Sequence, residues 1–257
     1  MKNKKILCIA TTVLIITVLL IGVSIINPTI NGKPVIPTGN VYAATLKTIN
    51  TNMDTLMAEL EKEMTNNPEL TLIGSPIRLI EESQAYKKII ELGLSGVKPL
   101  YDKLYDSRDA GLYEYILALA IEDITKEDFV YNTDYGWKNS LEFRLSYETK
   151  VNTVEANVER ILNTEFLTNE EKTLALEEQG IFAVSFLMME YNDENSKIDK
   201  NIIETAVLEI TSEYESSPVE NVNTYSLNRN DTTDINIIKE KCELFDSLVD
   251  LNGKAYN

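Results

Sequence analysis

Two adjacent carboxylate pairs, Glu81-Glu82 and Glu122-Asp123, are the residues whose types and spacing come nearest to a proton-transfer apparatus. Hydrolysis by paired carboxylates needs one acid that holds its proton unusually tightly and a cleft that brings substrate between the two. The flanking residues show neither and have the character of solvated helix ends, so no catalytic residue is assigned. Histidine is absent from the whole chain. That removes imidazole as base, as partner of a nucleophile and as metal ligand, and with it the usual serine and cysteine hydrolase machinery and the commonest zinc sites. No glycine-rich phosphate loop and no Gly-x-Ser-x-Gly turn occurs. Asp193-Glu194-Asn195 and Asp231 to Asp234 are rich in oxygen, but neither has the spacing or central glycine of a helix-loop-helix calcium site. Both are expected to be polar turns, and no metal or cofactor is expected. Cys242 falls on an apolar helical stripe and Cys8 in an apolar N-terminal run. The two are not expected to pair, and Cys242 is expected to pack instead of react.

Aromatic residues make the more promising cluster. Phe129, Tyr131, Tyr135 and Trp137 fall within nine residues, interleaved with Asn132, Asp134 and Gly136. Aromatic rings on a loop give contact area at low entropic cost, which suits a protein partner or a carbohydrate. These four are the candidate binding residues. The competing expectation is that Phe129 and Trp137 fold back onto the core, since a small domain tends to bury most of its only Trp.

The loop follows the stretch that organises the chain, Ser83 to Thr125. Tyr86, Ile89, Ile90 and Leu92 recur at helical spacing and Gly93 stops the helix, because glycine enters the left-handed conformation without steric cost. A second helix begins near Ser95, with Pro99 in its first turn and Val97, Leu100, Tyr101 and Leu104 as its stripe. The third, Gly111 to Ile124, is apolar on most sides, with only Glu114, Glu122 and Asp123 reading as solvated. Such a helix needs neighbours on more than one face.

Residues Ile89-Ile90-Glu91-Leu92-Gly93-Leu94-Ser95-Gly96-Val97 through Lys98-Pro99-Leu100-Tyr101-Asp102-Lys103-Leu104 resemble one HEAT-type helical repeat. Leu-Gly closes the first helix, a small residue and Val follow, and Leu recurs four apart. The longer run from Ser75 to about Tyr147 is similar to uncharacterised helical segments of secreted and surface-anchored proteins of Gram-positive bacteria. These share a Leu-Gly turn, a Gly-Leu-x-x-Tyr-Ile-Leu-Ala helix and a downstream Trp. The resemblance implies a helical hairpin and brings no activity with it. One copy of the turn is present, whereas stacked repeats need about three or more, so a compact domain is expected in place of an extended array.

Met1 to Lys5 holds three lysines, and Ile6 to Ile26 is a run of 21 residues without a charge. At about 1.5 Å per residue this run just crosses a hydrocarbon core of about 30 Å, with its basic end in the cytoplasm and the rest of the chain outside. Val41-Tyr42-Ala43 before Ala44 is a small-residue cleavage site, so the segment is either a retained anchor, giving a single-pass protein of the cell membrane, or a signal peptide that leaves a secreted product. Residues 27–44, with Pro28, Gly32, Pro34, Pro37 and Gly39, read as linker. All 41 acids and 20 of the 24 bases follow Thr45, a formal charge of −21. That charge excludes nucleic acid and anionic lipid as partners of the external part.

The rest reads as helix after helix. Ile49, Met53, Leu56, Leu60 and Met64 form one stripe, and Ser75-Pro76 opens a short helix. Trp137, Leu141 and Leu145 begin a pattern that Val151, Val154, Val158 and Ile161 resume, in one long helix or two. Thr168-Asn169-Glu170-Glu171 is a capping box launching a helix whose end, Ile181 to Met189, is buried. Ser196 caps a helix bearing Ile203, Ala206, Val207, Ile210 and Tyr214. A last helix carries Ile235, Ile238, Cys242, Phe245 and Val249. The expected fold is all-α, an irregular HEAT-like bundle of about seven to nine helices behind the N-terminal transmembrane or signal segment. It divides into a helical domain at 45–150 and a C-terminal helical region at 151–257 packed on it. The expected function is a non-enzymatic, extracytoplasmic interaction module whose partner is a protein or cell-wall carbohydrate. The alternative is a carboxylate-dependent hydrolase acting on cell-surface material.

Overall fold

Helical periodicity dominates the chain, and the computed structural model is correspondingly helical; it describes residues 29–30, 33–34, 38–67, 77–107, 109–129, 136–212, 214 and 235–250. The backbone separates into residues 1–41 and residues 42–257. In the first unit, β1 (Thr29–Ile30) pairs antiparallel with β2 (Lys33–Pro34), Thr29 opposite Pro34 and Ile30 opposite Lys33. Ile6 to Ile26 lies outside the described residues, and among those described no helix is long and apolar enough to cross a membrane.

Eleven α-helices are described: α1 (Thr38–Asn66), α2 (Ile77–Glu82), α3 (Gln84–Ile90), α4 (Val97–Asp106), α5 (Leu112–Thr125), α6 (Ser140–Asn163), α7 (Asn169–Glu177), α8 (Ala183–Asn192), α9 (Lys200–Ser212), α10 (Ile235–Glu240) and α11 (Cys242–Val249). A 3-10 turn, Gly93–Gly96, joins α3 to α4. The expected seven to nine helices are too few for a physical reason. The apolar pattern from Asn169 to Asn192 is broken at Gly180, which takes φ +71°, and the last helix is interrupted at Lys241.

The central hairpin forms for the reasons its residues supply. Ser83 caps α3, its hydroxyl accepting from Ala85 N and Tyr86 N at 3.1 and 3.4 Å, and Gly93 sits at φ +56°. Helix α5 packs against α3, the 3-10 turn, α4 and α6, so its broad apolar surface is covered on several sides. Of the expected solvated trio only Asp123 is exposed; Glu122 is half-buried and Glu114 is buried. Glu114 is 7% exposed because its carboxylate turns back to accept from Gly111 N at 3.0 Å and Ser107 Oγ at 2.7 Å, closing the first turn of the helix. Helix α6 is one continuous helix through Lys150 to Asn152. Its stripe also differs from expectation: Phe143, Tyr147, Val151, Val154, Val158 and Ile161 are buried, while Leu141 and Leu145 point outward, each 48% exposed. Asn139 caps the start of the helix, accepting from Leu141 N and Glu142 N. Ser196 does not cap α9. Its hydroxyl closes a turn onto Ile198 N, and Asp199 Oδ1 takes Asn201 N at the helix start.

Beyond the hairpin, α8 packs against α6, α9 and α11, and α11 returns to α4 and the 3-10 turn. Tyr147 ties the chain's end to its centre: its ring stacks on Tyr101 with centroids 4.5 Å apart, and its hydroxyl donates to Leu248 O at 2.7 Å.

Candidate functional site

The C-terminal end of α5 gathers the residues with chemical potential. The helix closes at Lys126, which adopts φ +52°. The three residues that follow re-enter the fold: Glu127 reaches α6 and the turn before α8, and Phe129 is 1% exposed in the core. Its ring lies 5.0 Å from Phe143, 5.5 Å from Tyr147 and 6.0 Å from Phe182 between centroids. Phe129 is therefore part of the framework and touches no outer surface. Tyr131 and Tyr135 lie outside the described residues. Trp137 is half-buried, its ring set edge-on to Phe143 at 5.1 Å and tilted by 49° against Tyr115 at 5.0 Å. An aromatic chain thus runs from the partly exposed Tyr115 and Trp137 through Phe143 to the buried Phe129 and Tyr147.

Glu122 locks the outer end of that chain. Its Oε2 accepts from Trp137 Nε1 at 3.1 Å and its Oε1 from Phe129 N at 3.5 Å. One half-buried carboxylate therefore holds both ends of the aromatic stretch, one by its side chain and one by its backbone. Periodicity assigned Glu122 to solvent. The sequence signal for it is its place in the last turn of α5, within reach of the Phe129 N–H. Next to it, Asp123 Oδ2 accepts from the Tyr86 hydroxyl at 2.6 Å, and burial pushes the Tyr86 phenol pKa far up. Of the other pair, Glu82 makes an exposed ion pair with Arg78, Nε to Oε1 2.9 Å, and Glu81 is exposed. The two carboxylate pairs do not form one acid-base machine: Asp123 serves Tyr86, and Glu122 serves Trp137 and Phe129.

Burial raises the Glu122 carboxyl pKa; the Phe129 and Trp137 donors oppose the rise, and the charges of Asp128 and Asp123 add to it. The folded chain therefore holds this proton more tightly than the unfolded one. The group's contribution to stability is full below the unfolded pKa and is lost as pH rises through the raised folded pKa. Glu122→Gln is expected to flatten that part of the stability-pH profile. Trp137 is the chain's only tryptophan, so its emission is expected to titrate with a midpoint above the ordinary carboxylate range. Persistence of the step in Glu122→Gln would assign the titration to another group.

The remaining candidates are occupied or quiet. Cys242 is half-buried, and burial raises its thiol pKa, reinforced by Asp246 and opposed by Lys239. That direction works against thiolate chemistry. Asp193 Oδ1 accepts from Asn195 N at 2.8 Å, closing its oxygen-rich turn on itself; Asp231 to Asp234 lie outside the described residues. Among the described residues no cluster of three or more acid or thiol groups is arranged to hold a metal ion. Comparison with protein-family models, with curated proteins and with solved structures finds no match, and the geometry around Trp137 is what a functional reading has to work from.

Proposed function

We propose that this chain is a non-enzymatic, extracytoplasmic helical interaction module, held at the membrane by Ile6 to Ile26 or released by cleavage near Ala43, and that it engages its partner through the surface around Trp137. The observation that carries this is the way the only tryptophan is displayed. Trp137 is left half-exposed yet fixed in orientation by Glu122 and by two rings, so it meets a partner with little rotamer freedom left to lose. Tyr131 and Tyr135, close to Trp137 in the sequence, belong to the same proposal. The resemblance of the Ser75 to Tyr147 run to surface-anchored Gram-positive segments supports the location and the HEAT-like character of the hairpin. The partner is a protein or cell-wall carbohydrate.

A carboxylate-dependent hydrolase has less support. A general acid must aim its proton at substrate, whereas both Glu122 oxygens face donors of the chain itself. The test is in-cell crosslinking of the tagged full chain in a Gram-positive host, comparing wild type with Trp137→Ala and Tyr135→Ala. Both variants are expected to lose the crosslinked partner while keeping wild-type abundance. Equal recovery by all three would remove the aromatic contact. An N-terminal residue of Ala44 on the mature protein would make it secreted in place of tethered.

A further inference from the structure

The charges that act on the Trp137-Tyr115 site are mostly acidic, with one exposed cation, Lys138, next to Trp137 in the chain. Glu122 touches the indole itself, and Asp128 and Asp123 lie close enough to act on the Glu122 carboxyl. Glu81, from α2, acts on the Tyr115 phenol together with Glu122. Among the described residues no lysine or arginine forms an ion pair with any of these four acids, although Glu82, Asp102, Glu127 and Asp250 elsewhere are each paired. Two half-buried aromatic rings, tilted against each other, lie beside these carboxylates, and it is the ring face that is electron-rich.

We propose that the Trp137-Tyr115 surface receives a cationic side chain, arginine or lysine, from a basic segment of a partner polypeptide. This rests on the interaction-module reading above and narrows it to a protein partner of stated charge. A cation over an indole is attracted by the ring quadrupole, and the attraction grows as the pair is desolvated. Asp128 and Glu81, both exposed, supply the counter-charge, and an N–H of the incoming group forms a charge-assisted hydrogen bond to a carboxylate. A divalent metal fits worse, since hard cations need oxygen ligands converging at bonding distance and draw nothing from the ring faces. Neutral carbohydrate would stack on Trp137 but leave Glu81 and Asp128 without a counter-charge.

The probe is an N-acetylated hexa-arginine peptide titrated into the full chain, read by Trp137 emission and by calorimetry. Glu81→Gln/Asp128→Asn removes two exposed charges at the surface; Glu159→Gln/Glu209→Gln removes two exposed charges elsewhere, Glu159 lying 22 residues from Trp137 along the chain. The expected result is saturable binding that shifts the emission, weakens about tenfold in the first double variant and in Trp137→Leu, and changes less than about twofold in the second. Equal weakening in both double variants would reduce the binding to diffuse attraction by an acidic chain and overturn the proposal. So would calorimetric binding that leaves Trp137 emission untouched. A shift of Trp137 by neutral cell-wall glycan, with none by the peptide, would overturn the cationic partner while leaving the aromatic contact in place.

Discussion

Gly180→Ala is expected to destabilise the chain by about 3 kcal/mol, the sum of a left-handed backbone penalty of about 1 kcal/mol and the displacement of a buried carboxylate. Gly180 has φ +71°, and a Cβ there would lie 1.9 Å from Glu127 Oε1. A flexible side chain would ordinarily step aside. This one is held: Oε1 accepts from Ile181 N at 3.1 Å, Oε2 takes Lys150 Nζ at 2.8 Å, and the Glu127 side chain is only 10% exposed. The junction joins the segment after α5 to α6 and to the turn before α8, so moving Glu127 strains three elements at once. For a domain of this size about 3 kcal/mol lowers the unfolding midpoint by roughly 6 to 12 °C, readable by circular dichroism at 222 nm. Gly93→Ala is the control. It has φ +56° but nothing within 4 Å of its would-be Cβ, so only the backbone penalty of about 1 kcal/mol applies. In a Glu127→Ala background the Gly180→Ala cost is expected to fall to that same level. Equal costs for the two glycines in the wild-type background would show that the Glu127 contact carries no weight.

The same junction shows where sequence reasoning stops. The stripes of α1, α4 and α9 were legible because each reports one helix against one core, through Ile49, Met53, Leu56 and Leu60, for example. The Thr168-Glu171 capping box was legible because both partners sit three residues apart, and both of its hydrogen bonds are present at 2.8 and 3.2 Å. Gly180 was not legible as a break. The residues on either side continue a helical pattern, and what fixes the left-handed turn is Glu127, distant along the chain. The phase of α6 is hidden from periodicity for a related cause. Leu141 and Leu145 are as hydrophobic as Phe143 and Tyr147, and only the aromatic cluster on the neighbouring elements selects which pair faces inward. Glu114 and Glu122 were read as wet because hydropathy cannot see a carboxylate turned back onto free N–H groups. At the candidate site, the residue types were visible but their division of labour was not: Phe129 and Trp137 belong to one aromatic chain, and only its outer end meets solvent.

That division has a measurable consequence. Phe129→Ala is expected to cost about 3 to 5 kcal/mol, the range for deleting a buried Phe side chain that leaves a cavity. The ring is 1% exposed and contacts Phe143, Tyr147 and Phe182, so collapse around the void would require three further aromatic residues to repack. The Phe129 backbone N–H also donates to Glu122, and a loosened segment releases the carboxylate that fixes Trp137. Phe129→Ala should therefore shift Trp137 emission to the red even at temperatures where helix content is retained. Trp137→Ala removes a half-buried ring and is expected to cost about 1 to 2 kcal/mol, because much of its surface is already wet. Chemical denaturation of the two variants side by side checks the order, and Phe129→Leu, which keeps most of the volume, is expected to fall between Phe129→Ala and wild type. If Phe129→Ala proved as stable as wild type and lost partner binding alone, the ring would have to be a contact residue. Its burial beneath Phe143 and Phe182 leads us to expect the reverse: a large stability loss, with any binding defect following from the disordering of Trp137.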